Sequence, residues 1–295
     1  MRNPLTEEQD DLVRGKVREG YGKIAQENAT SGCRRGVPCC GSTPLDAAGL
    51  ARHLGYSNEE LQSLPDGANL GLSCGNPAAL AALKPGEIVL DLGSGGGFDV
   101  FIAGRKIGAT GRAIGVDMTP EMLAKARRNT SSYREQTGMD NVEFRLGEIE
   151  HLPVADQSID VIISNCVINL SPDKPQVWRE MARVLKPGGR VAVSDIALWN
   201  PLPPDILKMV KALVGCVAGA VLGSETEHMV REAGLTDVVL ESKRSYVEAM
   251  THFEDPLYRK IAERLPDGAK PSDYITSLEV MARKPATRKK HHEPK

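Results

Sequence analysis

From Glu87 onward the chain alternates short apolar runs with longer stretches whose apolar residues recur at helical spacing. The runs Ile88–Leu92, Arg112–Asp117, Val142–Leu146, Val161–Asn165, Arg190–Asp195, Asp237–Ser242 and Ser277–Ala282 predict strands. Between them, Phe98–Lys106, Pro120–Asn129, Gln176–Leu185, Pro204–Leu213 and Glu225–Ala233 predict helices. Strands that alternate with helices imply an α/β fold, a mainly parallel sheet covered on both faces. KPGGR, Lys186–Arg190, predicts a helix stop and a tight turn, its glycines taking the left-handed conformation that ends helices.

Upstream the pattern is different. Apolar positions at Leu12, Val13, Val17, Tyr21 and Ile24 lie near helical spacing among many charges, predicting an amphipathic helix over about Thr6–Ile24. Ala29–Thr43 has no period and many glycines and cysteines, so it is expected to be an irregular loop. A second helical patch covers about Pro44–His53, and Ser57 with Glu60 three residues later forms a capping box for a short helix. The expected division is an N-terminal helical, cysteine-rich segment (1–70), a ligand-binding domain (71–240), a small C-terminal part with the last strand (241–284) and a disordered basic tail (285–295).

Charge and composition narrow the function classes. Lys and Arg (37) against Asp and Glu (39) give −2. Arg283–Lys295 holds six basic residues and one acidic one, so the body carries 31 basic and 38 acidic residues, about −7. A nucleic-acid partner is not expected. Ala212–Gly223, the most apolar stretch, has 12 residues where about 20 are needed to cross a bilayer. Glu7, Glu8, Asp10 and Asp11 stand where a secretory signal has its apolar stretch. The expectation is a cytoplasmic protein without membrane partners. Its cysteines, Cys33, Cys39, Cys40, Cys74, Cys166 and Cys216, are too sparse for a disulfide scaffold and are expected as thiols.

The strongest motif is VLDLGSGGGF, Val89–Phe98, where Asp91, Gly93, Gly95 and Gly97 form DxGxGxG directly after an apolar strand. A strand running into glycines and then a helix lets the backbone approach a ligand and presents free amides. A dinucleotide fingerprint, GxGxxG, needs a third glycine where this chain has Phe98. An acidic residue ahead of the glycines suits a ligand with a free amino group and no phosphates, which favours S-adenosylmethionine; Ser94 lies within the same loop. Asp117 in GVDM ends the second strand, where a carboxylate can accept two hydrogen bonds from a ribose diol; capping of the next helix is the alternative. Met118 follows it. In LGEIEHLP, Glu148 offers a polar edge and Ile149 an apolar wall to an adenine ring. Asn165 and Cys166 end the fourth strand, at the carboxyl edge where ligands bind in open α/β sheets.

Taken together, DLGSGGGFD, GVDMTPEML, NVEFRLGEIE, SNCVINL, LKPGG and above all NLGLSCGNP and VGCVAGA resemble the arsenite methyltransferases of the S-adenosylmethionine-dependent class I superfamily. The resemblance covers about Tyr21–Pro285. It implies a Rossmann-like class I methyltransferase fold, with a mainly parallel seven-stranded sheet and helices on both faces. It also implies that Cys74, Cys166 and Cys216 bind trivalent arsenic. Family members often carry a further N-terminal cysteine that can pair with the one matching Cys74; Cys33, Cys39 and Cys40 are the candidates. Where some members have a tandem tyrosine, this chain has Gly71, Leu72 and Ser73.

The chemistry agrees with that resemblance. Trivalent arsenic is soft and prefers thiolates, which hold it in a pyramid with a lone pair at the apex. The lone pair can displace the cofactor's sulfonium in line, without a general base. Arsenite or its thiol conjugates would be the substrate, and thioredoxin or glutathione the reductant; no tightly bound metal is expected. One alternative keeps S-adenosylmethionine and changes the acceptor, for example to a quinone precursor. Another is a thiol-based metal or metalloid binding protein using Cys33–Cys40, although that spacing departs from the paired CxxC of structural zinc sites.

Overall fold

A computed structural model of the chain describes residues 7–30, 47–211, 216–252 and 255–286. Strands β1 (Ile88–Leu92), β2 (Arg112–Asp117), β3 (Val142–Leu146), β4 (Ile159–Asn165), β5 (Leu185–Leu198), β6 (Thr236–Lys243) and β7 (Ile275–Arg283) form a seven-stranded sheet in the order β3-β2-β1-β4-β5-β7-β6. β1 to β5 are parallel, and β7 runs antiparallel between β5 and β6. The chain winds one way from β1 to β2 and the other way to β4, so the crevice beyond the carboxyl ends of β1 and β4 is the topological switch point where ligands bind.

The helices are α1 (Glu7–Thr30), α2 (Ala47–His53), α3 (Asn58–Gln62), α4 (Pro77–Leu80), α5 (Phe98–Ile107), α6 (Pro120–Thr137), α7 (Lys174–Val184), α8 (Pro204–Lys211), α9 (Gly223–Glu232), α10 (Arg244–His252) and α11 (Pro256–Ala262). The inner strands are apolar on both faces because both faces are covered. Leu90, Ile162 and Val193 pack with Trp178 and Met181 of α7 and Val230 of α9. Val89, Val161 and Ile163 pack on the other side with Val100 and Phe101 of α5 and Ala126 and Tyr133 of α6. A third cluster gathers Cys74, Cys166, Ile196 and Ile206 with Val247, Met250 and Tyr258 of α10 and α11, so the C-terminal part closes over the end of β5.

Expected strands and helices occur within a few residues of their expected bounds. The capping box at Ser57 forms, with Glu60 N donating to Ser57 Oγ at 3.1 Å and Ser57 N donating to the Glu60 carboxylate at 2.8 Å. KPGGR follows a helix stop and holds a left-handed glycine, as expected, but it lies within β5. α7 ends at Val184, and Leu185 is already extended and paired with Ile159 in the sheet. Lys186, which precedes Pro187, is steered away from helix, and the register jumps from Leu185 to Arg190, so the intervening residues bulge out of β5. Only Gly188 is left-handed, at φ 81°. α6 outruns its expected end because Tyr133, buried with its hydroxyl donating to Asn141 at 2.8 Å, anchors the polar run that follows Asn129. Cys33, Cys39, Cys40, most of the expected loop around them and the last residues of the basic tail lie outside the described residues. Among the described residues no helix is long and apolar enough to cross a membrane.

Gly97 starts α5 at φ 92°, and a Cβ there would stand 2.7 Å from Phe101 and 2.8 Å from Phe144. Gly97→Ala is therefore expected to cost about 2 to 4 kcal/mol through strain and overpacking. Urea unfolding of the variant measures this, and a loss below about 0.5 kcal/mol would contradict the packing described.

Candidate active site

β1 and β2 deliver their carboxylates to the same edge. Asp117 is buried, its two oxygens accepting the amides of Gly95 at 2.9 Å and Thr119 at 2.7 Å. It thus holds the turn that leads into α6 and steadies the glycine loop at once, and each oxygen keeps a second lone pair for a ligand. Burial pushes its carboxyl up. Asp91 is more extreme, raised well above the usual carboxylate range by burial and then by the charges of Asp99 and Asp117. A cationic ligand in that recess would reverse the penalty.

Two connected hollows lie over this edge. The larger, a cleft of about 730 Å³, is lined by Gly93, Gly95, Asp117, Met118, Ile149 and Cys166, with Arg14, Val17 and Tyr21 of α1 forming its outer wall. The smaller, about 450 Å³, is lined by Asp91, Ser94, Gly96 and Asp99. They share Gly93, Gly95, Leu72 and Asn165. The buried Ser94 hydroxyl has no hydrogen-bond partner among the described residues. Free hydroxyl, amide-lined loop, apolar wall and uncompensated carboxylate together fit an adenosine carrying a free amino acid.

Two expected contacts fall elsewhere. Glu148 turns away from the cleft to pair with Arg14 at 3.4 Å and Arg18 at 3.2 Å on α1, and Glu150 takes its place in the lining. Gly97 faces Phe101 and Phe144, where it lets α5 pack closely on β3. Asn165 does border the cleft, but its amide is committed: Nδ2 donates to Asp99 at 3.1 Å and Gly75 O at 3.0 Å, and Oδ1 accepts Cys74 N at 3.0 Å. It ties the loop carrying Cys74 to the tip of β4.

Cys166 lines the larger hollow, joined to Cys74 and approached through its backbone by Cys216. Cys166 leaves β4 in the left-handed region, φ 55°, its amide donating to Ser194 O at 2.8 Å. Such strain in a residue other than glycine is found at functional sites. Cys74 and Cys166 are joined as a disulfide, Cα to Cα 6.0 Å, within the usual span. This corrects the expectation of thiols throughout: the loop held by Asn165 lays one sulfur directly on the other. Cys216 is free, and its Sγ donates to Cys166 O at 2.8 Å. Burial, and then the charge of Asp195, push its thiol up.

Sequence reasoning missed Tyr21, Arg14, Glu150 and Asp195. Asp195 lies on β5, with the sulfurs of Cys74 and Cys166 and a carboxylate oxygen all within 4.8 Å of one another. It accepts Asn169 Nδ2 at 2.9 Å and Ile196 N at 2.8 Å. The Asn169 carbonyl abuts Gly219, leaving no room for a Cβ and fixing the turn that follows Cys216. The available signal was a buried-strand pattern ending in a carboxylate, VAVSD.

A methyltransferase-domain family model matches residues 83–234. An arsenite methyltransferase of Halobacterium salinarum is 44% identical over 93% of this chain and 67% of its own length. One of Aquipseudomonas alcaligenes is 40% identical over 75% of this chain and 61% of its own. This chain thus spans about two thirds of the length of those relatives. Among solved structures, an arsenic(III) S-adenosylmethionine methyltransferase of Chlamydomonas reinhardtii is 31% identical, with TM-score 0.59, covering 84% of this chain and 75% of that one.

Burial pushes the Asp195 carboxyl up to about 6. Below about pH 3 it is protonated folded and unfolded alike; as pH rises from about 4 to about 6 the unfolded chain ionises first, so folding loses stability. Between about pH 4.5 and about pH 7.5 the stability of the wild type relative to Asp195→Asn should fall by about 2 kcal/mol. Urea unfolding at the two pH values checks this, and a constant difference would contradict it.

Proposed function

The chain belongs to the arsenite methyltransferases, and on that premise we propose that it transfers methyl groups from S-adenosylmethionine to thiol-bound trivalent arsenic, giving methylated arsenicals and so detoxifying arsenic. The observation that carries this reading is the pairing of Cys74 with Cys166 at the hollow lined by Asp117 and Ile149, with Cys216 Sγ on the Cys166 carbonyl. A quinone acceptor would have no use for three sulfurs there.

When bound, S-adenosylmethionine supplies an electrophilic methyl carbon on a sulfonium. Asp91 would hold its amino group and Asp117 its ribose diol. Gly93, Ser94 and Gly95 would line its path, with Met118 and Ile149 as apolar walls. The chain's own contribution is positioning, which can be worth about 7 to 11 kcal/mol when reacting groups are well oriented. Reduced Cys74, Cys166 and Cys216 hold arsenic in a pyramid, each displacing an arsenite hydroxyl as water, with the lone pair facing the cleft.

Methylation leaves arsenic pentavalent. The sulfurs of Cys74 and Cys166 then join each other: their two bonds to arsenic break, one sulfur–sulfur bond forms, and two electrons return to arsenic, which is again trivalent and carries the methyl group, Cys216 and a hydroxide taken from water as a proton leaves. A disulfide at Cys74–Cys166 with Cys216 free is the pairing expected after that step. Thioredoxin or glutathione reopens it by thiol exchange.

Cys166→Ser and Cys216→Ser should each lower arsenite methylation by about a hundredfold or more while changing S-adenosylmethionine affinity less than about twofold. Labelled cofactor, arsenite and a dithiol, followed by speciation of the arsenic products, provide the measurement. Undiminished turnover in either variant, or methylation of a quinone precursor and not of arsenite, would overturn the reading.

A further inference from the structure

A buried carboxylate stands beyond the sulfurs, on the side away from the cofactor hollows. The strand order β2-β1-β4-β5 puts Asp117 and Asp91 at one end of this stretch of the carboxyl edge, Cys166 between, and Asp195 at the other end. An Asp195 oxygen and the sulfurs of Cys74 and Cys166 lie within 4.8 Å of one another, and its charge also bears on Cys216.

The charge exceeds what the local structure requires. Oδ1 alone accepts Asn169 Nδ2 at 2.9 Å and Ile196 N at 2.8 Å, two bonds that an asparagine oxygen could equally accept; Oδ2 takes Asn169 N at 3.2 Å. Lys174 lines the small hollow beside Asp195 and offsets part of the burial cost, yet the carboxyl stays above its usual range and its ionised form opposes folding. A charge retained at the expense of stability points to function. It does not prime the thiols, because a negative charge beside them disfavours thiolate. What it favours is positive charge.

Methyl transfer places such a charge on arsenic. The arsenic lone pair forms an arsenic–carbon bond, the carbon–sulfur bond to the methyl group breaks, and its electron pair stays on the departing sulfur, which becomes neutral. Arsenic is then four-coordinate, with one methyl group and three cysteine sulfurs, and carries the positive charge that the sulfonium has lost. We propose, resting on the arsenite reading, that Asp195 is the counter-charge for this arsenic cation. Positive charge moves along the edge, away from Asp91 and Asp117 and toward Asp195, so the carboxylate stabilises the transition state more than the ground state. Held in advance by Asn169 and Ile196, it needs no reorganisation as the charge arrives.

The test uses the reduced full-length chain carrying one equivalent of arsenite, mixed with saturating labelled S-adenosylmethionine and quenched to read a single methyl transfer. Asp195→Asn should slow that transfer about a hundredfold and leave the arsenite and S-adenosylmethionine dissociation constants within about threefold. In Asp195→Ala, formate should restore the rate, and formamide, of similar shape without the charge, should not. Before arsenite is added, iodoacetamide should alkylate Cys216 faster in Asp195→Asn than in the wild type, read by mass spectrometry, because loss of the carboxylate favours thiolate. An undiminished transfer rate in Asp195→Asn, a loss that falls on arsenite binding, rescue by formate no better than by formamide, or unchanged alkylation would overturn the proposal. A wild type that neither binds nor methylates arsenite would instead overturn the function on which it rests.

Discussion

The parallel register of β4 on β5 is the constraint on which the acceptor end depends. Asn165 is opposite Ser194, and one residue later the chain turns left-handed so that Cys166 N still reaches Ser194 O at 2.8 Å. That single register places Cys166 against Asp195 and aims the Asn165 amide at the loop bearing Cys74. A slip of one residue would send Asn165 to the opposite face of the sheet, and the loop would lose its hold on β4. The apolar residues that flank each strand on both faces enforce the register, so the packing of Ile162 and Val193 with α7 is indirectly part of the site.

A second theme is negative charge held out of water. Asp91, Asp99, Asp117 and Asp195 are all buried along the carboxyl edge, and each has its carboxyl pushed up, chiefly by burial. Burying carboxylates opposes folding unless partners compensate. Here compensation is partial: Tyr56 and Asn165 donate to Asp99, backbone amides to Asp117, and Asn169 and Ile196 to Asp195. The shortfall is largest around Asp91, where a cationic cofactor brings the missing charge, so ligand binding and stability are linked.

Much of the fold was legible in the sequence because buried strands of a covered sheet announce themselves as short apolar runs, and β1, β2 and β3 begin and end where those runs do. The glycine loop and Asp117 were legible for the same reason, since chemistry at a strand tip follows from knowing where the strand ends. Legibility failed where tertiary contacts overrode local signals. Tyr133 carries α6 through a polar run that resembles a loop, and pairing with β4 draws Leu185 into β5. α10 and α11, which close over the sulfurs, were not anticipated because their apolar residues make sense only against Ile196 and Ile206. Tyr21 read as one more apolar position on an amphipathic helix; that it walls the cleft over the far-off Asp117 and Cys166 has no local signature. Glu148 and Glu150 are separated by one residue and face different partners, a distinction set by Arg14 and Arg18 on α1.

The central claim is that three sulfurs distant in the chain converge on one soft atom. Arsenic-edge X-ray absorption of the reduced protein carrying one equivalent of arsenite tests it most directly. The account predicts a first shell of three sulfurs and no oxygen. A shell with two sulfurs or fewer, completed by oxygen, would contradict it.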